Sequence, residues 1–438
     1  MSSFSFLNNT KFVKLFKNSL WLLFDYVFRL IAGYFVSIWL AREIGPENFG
    51  IYNFALANIA ILVTLSMVGL QGLGIHLLVE KRENEAKNLG TLFFIRISAA
   101  IFLYTLLLLF CLIFEIKSIK IQLTLLMGLK VFFSSFNVIE FYFDAIIQAR
   151  YKVIARTLSY TIRTVLLVGF IVYNLPLIYL GGIVVFEEII AVVGSIYFYY
   201  KKSNISIFSW KRDIKLMQRV LLDAWPLVIS SAGIIIYLKV DQVMIVQMVS
   251  SEAGGYYAVA SKITELFNFL PPLIITSVFP ILIEAKKRSQ ANYEFKLKNL
   301  LRLLILTSLI ICLSVTLLSK YIILYTYGEQ YVEAHEILKI HIWTLYFSYI
   351  GVVLSRWLII ERFTQASLVR NLLGLTINVV LNFLLIPIYG AIGAAVTSII
   401  SLAFAVVIFA FYSKKTLGFL QILISSLNIL DIHRDLKR

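Results

Sequence analysis

The feature that most constrains this chain is a series of long apolar stretches that recur from one end to the other. A hydrocarbon core of about 30 Å needs roughly 20 apolar residues per helix, so each stretch is long enough to cross a membrane. Hydrophobic residues make up 60% of the chain and charged residues 15%, and the mean hydropathy is +0.88. Only helices and closed barrels satisfy their backbone groups inside a bilayer, and these stretches are continuous rather than alternating. The sequence therefore predicts an all-α integral membrane protein.

The charges of the connections predict the number and the direction of the helices. With a cytoplasmic amino terminus, the outer connections hold only Arg42, Lys117, Lys120, Lys320 and Lys339, and the remaining loop cations fall inside. Such a Lys/Arg bias sets topology, so we expect both termini in the cytoplasm, and the net charge of +16 reflects orientation rather than a nucleic-acid partner. The twelve predicted transmembrane helices are approximately 19–40, 51–75, 90–114, 121–147, 157–174, 177–200, 221–246, 256–283, 300–325, 338–360, 367–387 and 391–412.

Two repeated motifs indicate that the chain consists of two similar halves. The first motif is Glu47, Gly50, Tyr52 and Ala55, which recurs at the same spacing as Glu252, Gly255, Tyr257 and Ala260. In the second, residues 179–185 resemble residues 390–396 in the same order along the chain. Internal repeats are a recurrent way to build transporters around a central site. The predicted organisation is a six-helix bundle at 1–200, a basic cytoplasmic linker at 201–220, a second six-helix bundle at 221–412 and a cytoplasmic basic tail at 413–438.

Two segments outside the predicted helices have amphipathic character. The linker contains Trp210 among several cations, which predicts a basic segment on the inner membrane surface. Residues 417–430 are apolar but too few to span a bilayer, so we expect them at the interface or packed against the protein.

The sequence contains no recognisable catalytic or metal-binding set. Cys111 and Cys312 lie in apolar stretches, where cysteine behaves as a small hydrophobic residue, and His76, His335, His341 and His433 lack ligand spacing. There is no phosphate-binding Gly-Lys-Ser/Thr loop and no Ser/His/Asp spacing. We therefore expect no cofactor, no metal and no enzyme activity.

Ionisable side chains within the predicted helices are the candidate functional residues. An Arg, Lys or Asp at the bilayer centre costs roughly 2.5–3.5 kcal/mol on insertion scales, so such residues usually face a cavity or a partner. We interpret the deep carboxylates as candidates for coupling to H⁺ or Na⁺, and the deep asparagines as residues that join helices or line a cavity. The cations are Arg29, Lys130, Arg163, Lys239, Arg356 and Arg370, the carboxylates Asp25, Glu140, Asp241 and Glu265, and the amides Asn378 and Asn382.

Simpler roles are open for several of these residues. Asp25 and Arg29 are four residues apart and could form a local ion pair that eases insertion. Glu140 and Asp144 share a face, and two close carboxylates in a low dielectric do not both ionise easily, although Asp144 could instead be exposed to water. Arg370 could extend to the inner surface.

The neighbours of the candidate residues give further expectations. Arg156 is expected to lie in a loop. Because Glu187 and Glu188 are adjacent, we expect only one to point inward. Lys239 and Asp241 are two residues apart on a helix and are not expected to pair. A proline pair at 271–272 must disturb the helix that carries Glu265, either as a simple kink or as part of a binding site.

Three segments resemble the Wzx or O-antigen translocase family of polysaccharide-export flippases. The segment Ala41–Tyr52 is similar to the family's signature after the first helix, with Glu43-Ile-Gly45-Pro46 in place of the usual Leu-Gly. The other two segments are Asp241–Pro280, which resembles the second-half motif, and Leu381–Ala395. The resemblance extends over residues 10–412.

The resemblance implies a fold like that of the multidrug and toxin extrusion transporters, with two six-helix bundles related by a pseudo-twofold around a central cavity. It implies a flippase that moves an undecaprenyl-diphosphate-linked oligosaccharide from the inner to the outer leaflet of the bacterial inner membrane by alternating access. The cations named above would neutralise the diphosphate. Expected partners are this lipid-linked substrate, membrane lipids, H⁺ or Na⁺, and a polysaccharide polymerase of the same pathway.

Other functions remain open at this point. A drug or cation antiporter of the same fold and a lipid-II-type flippase are the nearest alternatives. A polysaccharide polymerase is an enzyme alternative, but such proteins carry a long extracytoplasmic loop, and the longest outer connection here is roughly 326–337. A purely structural membrane protein gives no reason for so many charges inside the helices.

Overall fold

The computed structural model describes residues 10–80, 84–113, 118–203, 205–363 and 365–427, with side chains from residue 17 onward. The described residues contain no β-strand. The helices are α1 Thr10–Ser66, α2 Leu70–Glu80, α3 Glu85–Ile113, α4 Ile119–Gly128, α5 Lys130–Ser134, α6 Val138–Ala145, α7 Arg150–Val172, α8 Tyr179–Lys202, α9 Ile214–Met248, α10 Ser251–Phe267, α11 Leu270–Arg288, α12 Gln290–Thr326, α13 Ala334–His341, α14 Thr344–Ile360, α15 Gln365–Val406 and α16 Lys414–Leu427.

Ten helical stretches of the described chain are long and apolar enough to cross a membrane. Two of them are far longer than a bilayer requires, Lys17–Glu80 with 64 residues and Gln365–Tyr412 with 48. Each is interrupted by a glycine in a left-handed conformation, Gly45 with φ 75° and Gly390 with φ 59°. Since a side chain disfavours this conformation, these glycines mark where a helix ends and a second one starts. Dividing these two stretches at Gly45 and Gly390 gives twelve apolar helical segments, in agreement with the twelve predicted spans, and the all-α membrane fold is confirmed.

The chain divides into two compact units. The first contains the residues up to Ile44 and Ile51–Ile235, and the second contains Gly45–Gly50 and the residues from Ile236 onward. The predicted linker at 201–220 therefore lies within the first unit, and the division between units falls inside α9. Each unit is described below by itself.

The first unit packs α2, α3, α6 and α8 around a common apolar core. Fully or nearly fully buried side chains of this core include Leu70, Leu92, Val138, Phe143 and Tyr199. Other large apolar side chains of the same helices face outward, such as Phe102 and Ile113, which are 67% and 77% exposed. Exposed apolar side chains on long helices are what a lipid-facing surface requires.

The second unit is built around α12, which contacts α11, α13, α14 and α16. Leu297, Leu301, Leu304 and Cys312 of α12 are buried at this centre. The last helix, α16, packs its Phe419 against Trp357 with ring centroids 5.5 Å apart. The apolar segment expected from 417 is therefore packed against the protein as far as Leu427. Residues 428–438 of the predicted basic tail lie outside the described residues.

The predicted linker packs against α3 and then continues into α9. Trp210 packs on Phe93, with ring centroids 5.6 Å apart. A Cβ built at Gly90 would lie 2.5 Å from the carbonyl oxygen of Lys211, so the two backbones touch. From Ile214 the chain is already part of α9. These contacts hold Trp210 against α3, and the position of the segment at the inner membrane surface stays a prediction.

Candidate functional site

A group of five ionisable side chains lies in the interior of the first unit, and we call it the first-unit charge cluster. Glu188 of α8 is its centre, because its carboxylate lies 3.2 Å from Lys130 Nζ and 3.7 Å from Arg156 Nη1. Arg156 Nε also donates to Glu140 at 2.7 Å. The side chain of Glu188 is 3% exposed, so its charge depends on these partners. The cluster comprises Arg96, Lys130, Glu140, Arg156 and Glu188.

The helix geometry explains why these side chains meet. The polypeptide between 119 and 145 forms α4, α5, a short 3₁₀ turn at Ser135–Asn137 and α6. Asn137 lies in that turn and donates its Nδ2 to Glu188 Oε1 at 2.9 Å. The structure brings the predicted residues Lys130 and Glu140 into one cluster. It also corrects the expectation for Arg156, which belongs to α7 and reaches into the interior rather than lying in a loop.

Arg163 forms a second, separate pair in the first unit. Its Nη1 lies 3.2 Å from the Glu187 carboxylate, and its Nη2 donates to the Tyr52 hydroxyl at 3.0 Å. Both Glu187 and Glu188 therefore bind partly buried cations, and the expectation that only one points inward was wrong. Adjacent helical residues diverge by about 100°, and α8 has protein on both of those sides.

The remaining charges of the first unit form local pairs. Arg29 bonds to Asp25 one turn before it on α1, as the simpler interpretation expected, and the Arg29 side chain is 39% exposed. Asp144 is paired with Lys152 at 2.5 Å. Glu140 and Asp144 thus each have a cation of their own.

The second unit buries one carboxylate among neutral hydrogen-bond donors. Asp241 of α9 is 5% exposed and accepts from Tyr257 at 2.7 Å, from Ser398 at 2.5 Å and from Asn382 at 2.6 Å. Asn382 also donates to Asn378 Oδ1 at 3.2 Å. Among the described residues, no Lys or Arg contacts this carboxylate. We call these five residues the Asp241 network.

The Asp241 network continues to a histidine. The Tyr257 hydroxyl lies 3.4 Å from His341 Nε2, and His341 Nδ1 lies 3.0 Å from the Thr264 hydroxyl. Asn382 Oδ1 and the Thr397 hydroxyl are buried and bond to no described residue. The arrangement therefore concentrates oxygen atoms around one negative charge.

The other predicted residues of the second unit lie apart from this network. Lys239 pairs with Glu265 at 3.1 Å, and both side chains are partly exposed. Arg356 lies over the Phe279 ring at 5.6 Å. Arg370 donates to the Gly351 carbonyl oxygen at 3.1 Å. As expected, Lys239 and Asp241 do not pair with each other.

The helix is interrupted between α10 and α11, just before the proline pair, and a carbonyl group freed at this interruption is hydrogen-bonded within the protein. α10 ends at Phe267 and α11 begins at Leu270, so Pro271 and Pro272 occupy the first turn, where a missing N–H does no harm. The Phe267 carbonyl accepts from Tyr349 at 2.7 Å.

Sequence reasoning missed several members of both sites. Arg96, Ser398 and His341 carry no signal of their own, since a lone polar residue in an apolar helix usually joins helices. Tyr257 belongs to the repeated motif, and this signal could have suggested that its hydroxyl donates to the carboxylate of Asp241, which precedes it in the sequence. Among the described residues, no group of three or more His, Cys, Asp or Glu could hold a metal ion.

Solved structures with the same fold are membrane transporters. The lipid II flippase MurJ in its inward closed conformation aligns with a TM-score of 0.71 at 17% identity, covering 94% of this chain and 92% of that one. An inward-facing MATE family multidrug resistance transporter of the MOP superfamily aligns with a TM-score of 0.69 at 13% identity, covering 90% and 94%. A MOP superfamily transporter from Pyrococcus furiosus aligns with a TM-score of 0.56 at 14% identity, covering 93% and 95%.

Sequence comparison gives the family. No match was found among curated protein sequences. The model of a family described as polysaccharide biosynthesis protein matches residues 15–286, more than half of the chain. With its helical membrane fold and its similarity to the MATE and MurJ structures, this multi-pass membrane protein belongs to the polysaccharide biosynthesis protein family.

Proposed function

We propose that the protein is a flippase that moves undecaprenyl-diphosphate-linked oligosaccharide repeat units, of the O-antigen or capsule type, across the bacterial inner membrane. The observation that carries the proposal is the family match over residues 15–286, because it joins polysaccharide biosynthesis to a chain with a transporter fold. The direction is from the inner to the outer leaflet by alternating access, with both termini in the cytoplasm.

The chemistry of the substrate fits the cations within the spans. A diphosphate is anionic and needs charge-assisted donors when it leaves water. Arg29 and Lys239 are 39% and 32% exposed at the side chain although they belong to membrane-spanning helices. Guanidinium and ammonium groups in that position can neutralise a phosphate during its passage. Arg163, Arg356, Arg370 and Lys130 are the further candidates.

We propose Asp241 as the residue that couples transport to H⁺ or Na⁺. Its carboxylate is buried and held by neutral donors, so its negative charge is the one that a proton or a small cation would balance. The oxygen atoms of Asn382 and Thr397 supply the hard ligands that a cation such as Na⁺ takes. Asp25, Glu140 and Glu265 each bond to a cation of the chain, which makes them weaker candidates.

The test is transport in proteoliposomes that contain the purified protein. The expected result is that a short-chain lipid-linked oligosaccharide becomes accessible to external periodate in a time-dependent manner, and that an H⁺ or Na⁺ gradient changes the rate. A drug or cation antiporter would instead move small organic cations, and a lipid-II-type flippase would prefer lipid II. Either result without movement of the oligosaccharide lipid would refute the proposal.

Single substitutions test the cations in cells. Arg29→Ala, Arg163→Ala and Arg356→Ala are each expected to reduce surface polysaccharide at unchanged expression. The matched control is Arg288→Ala, because Arg288 is 73% exposed and pairs with Glu284 on its own helix. Undiminished polysaccharide in any of the three removes that residue from the substrate path.

A further inference from the structure

A polar groove lies at one end of the second unit, between the first turns of α12 and the helix α16. We call it the α12–α16 groove. Its volume is about 560 Å³, which is typical of small-molecule sites. Trp357 and Glu361, at the end of α14, line it between the two helices. The polar side chains of its walls are Gln290, Glu294 and Lys298 from α12 and Lys415, Gln421 and Ser425 from α16.

Gly418 keeps the middle of the α12–α16 groove open. The residue lies inside α16, one turn from Lys415 and one turn from Gln421. A Cβ built there would meet nothing within 4 Å, so no close approach of another helix requires a glycine. Glycine is also a poor helix former compared with alanine. What the glycine provides at this position is unfilled space between polar walls.

The charges that line the groove are of both signs. Lys298 and Lys415 line it as cations, and Glu294 and Glu361 line it as carboxylates. Lys286 forms an ion pair with Glu361. A ligand with a single type of charge would therefore meet like charges as well as opposite ones. A ligand that carries one positive and one negative group matches the lining.

Glu294 and Lys415 have hydrogen-bonding capacity for such a ligand. Glu294 accepts from Gln290 Nε2 at 2.7 Å through one of its two carboxylate oxygens. Lys415 Nζ donates to the Glu361 carbonyl oxygen at 2.6 Å, which uses one of the three N–H groups of the ammonium. Both residues are exposed, and they belong to different helices. The carboxylate and the ammonium therefore lie on opposite walls of the groove.

The position of the groove along the helices suits an amphiphilic ligand. The end of the unit that carries it is basic, with Lys286–Arg288 at the end of α11 and Lys414 and Lys415 at the start of α16. Basic residues of this kind are typical of the cytoplasmic membrane surface. Further along α12, Leu303 and Leu306 are 51% and 49% exposed. A molecule with its polar head in the groove can place its apolar tail on this exposed apolar surface.

We propose that the α12–α16 groove binds the head group of a zwitterionic aminophospholipid of the phosphatidylethanolamine type. Its ammonium group binds to Glu294, and its phosphate binds to Lys415. A primary ammonium donates hydrogen bonds to a carboxylate, and a phosphate accepts them from a lysine. An anionic phospholipid offers no cation to Glu294, and a choline head group has no N–H to donate. Such a lipid belongs to the surrounding membrane, so the site is independent of the transported substrate.

The experiment measures the thermal stability of the purified, delipidated protein in a neutral detergent. The probes are the dihexanoyl forms of phosphatidylethanolamine, phosphatidylglycerol and phosphatidylcholine, each added at increasing concentration. A ligand that binds the folded state raises the unfolding temperature with its concentration. One hydrogen bond to a charged group changes affinity by about tenfold or more. The ethanolamine lipid is therefore expected to act at a concentration about tenfold lower than the other two lipids.

Gly418→Leu is the decisive variant, because its side chain fills the groove without removing a charge. It is expected to fold, since leucine is a good helix former and the space beside the residue is open. It is also expected to lose the preference for the ethanolamine lipid. The matched control is Gly169→Leu, which places the same side chain in open space on α7 of the first unit and is expected to keep the preference.

Glu294→Gln tests the ammonium contact by itself. It removes an exposed charge, so it is expected to fold and to respond equally to the ethanolamine lipid and the other two lipids. The control is Glu284→Gln, which removes an exposed carboxylate that pairs with Arg288 and does not line the groove, and it is expected to keep the preference.

The results that would overturn the site are distinct from a failure of transport. No response to any lipid, or equal responses to all three in the wild-type protein, overturns it. A stronger response to phosphatidylglycerol would assign the groove to anionic lipids and would overturn it as well. An unchanged preference in Gly418→Leu, or in Glu294→Gln if Gly418→Leu does not fold, has the same meaning. None of these results depends on whether the protein moves a lipid-linked oligosaccharide.

Discussion

The two units compensate their buried carboxylates in different ways. In the first, Glu188 is bonded to Lys130 and Arg156, so fixed charges of the chain neutralise it. In the second, Asp241 is bonded to Tyr257, Asn382 and Ser398, which carry no charge. Permanent cations suit a ligand that is always anionic. A carboxylate with neutral donors suits a site whose charge changes when a proton or cation binds. We therefore propose different tasks for two halves that share sequence motifs.

The largest expected effect is the loss of stability when the shared carboxylate of the first unit is removed. Glu188→Gln leaves Lys130 and Arg156 without their common partner, and breaking a buried pair in this way costs about 3–5 kcal/mol. Thermal unfolding of the purified protein in detergent measures the loss. The control is Glu284→Gln, which breaks an exposed pair with Arg288 on the same helix and should cost about 0–1 kcal/mol. Equal losses of stability in the two variants would show that the buried charge of Glu188 does not contribute more to folding than an exposed charge does.

The next effect lies in the second unit and concerns transport more than stability. Asp241→Asn keeps the shape and several hydrogen bonds but removes the charge, so we expect about 1–3 kcal/mol of lost stability. Transport driven by an ion gradient should disappear, whereas exchange without a gradient should persist. Proteoliposomes with imposed H⁺ or Na⁺ gradients measure both rates and separate the two ions.

Asp223→Asn is the matched control for Asp241→Asn, because Asp223 is an exposed aspartate on the same helix. It should leave gradient dependence unchanged. If the Asp241→Asn protein still responds to the gradient, the coupling residue lies elsewhere and the proposed division of tasks between the units is wrong.

A smaller effect is expected where the repeated motif itself packs. Gly50 and Gly255 occupy the same position in the two copies of the repeated motif, and both belong to the second unit. Gly50 lies against the backbone of Ser251, and Gly255 lies against the backbone of Pro46. A Cβ on Gly255 would lie 2.0 Å from the Pro46 carbonyl oxygen, and one on Gly50 would lie 1.7 Å from the Ser251 carbonyl oxygen. We expect Gly255→Ala to cost about 1–3 kcal/mol by overpacking.

The same thermal assay checks the glycine substitutions. Gly72→Ala is the control, because a Cβ there would meet nothing within 4 Å. Gly255→Ala as stable as Gly72→Ala would mean that the segment 45–50 can move away without loss, and that the close packing of the repeated motif is incidental.

The sequence predicts the fold better than it predicts the sites, and particular residues explain why. Span length and loop charge are local properties, so the helices could be counted from the sequence, and Gly45 and Gly390 are where two of the long stretches break. Asp241 was recognisable as a deep carboxylate on the same grounds.

The partners of these residues could not be predicted because they depend on helix packing. Arg156 of α7 contacts Glu188 of α8, and Ser398 of α15 contacts Asp241 of α9. A rotation of one residue on any of these helices would move a side chain by about 100°. The amino-acid pattern of an apolar helix does not fix that rotation, since lipid and protein interior are equally apolar.

The smallest predicted effect concerns the partly exposed ion pair of Lys87 and Asp213. Comparing it with Glu188 indicates how much burial adds to the stability that an ion pair provides. Asp213 bonds to Lys87 and to the Leu216 amide at the start of α9. The hydrogen bond from Lys87 holds the pKa of Asp213 below its ordinary value. A carboxyl group whose pKa is lowered by folding adds stability above its unfolded pKa and loses that contribution as the pH falls through the folded pKa.

The stability difference between wild type and Asp213→Asn should therefore be fully present above the ordinary aspartate pKa of about 3.9 and be lost as the pH falls through the lower pKa of the folded state. Thermal unfolding of the two proteins across this pH range checks the sign. A difference that stays constant over the whole range would mean that Asp213 acts as a helix cap without regard to charge. In that event the pair of Lys87 and Asp213 would add no measurable stability through its charge, and a measurable contribution would require a buried partner such as Glu188.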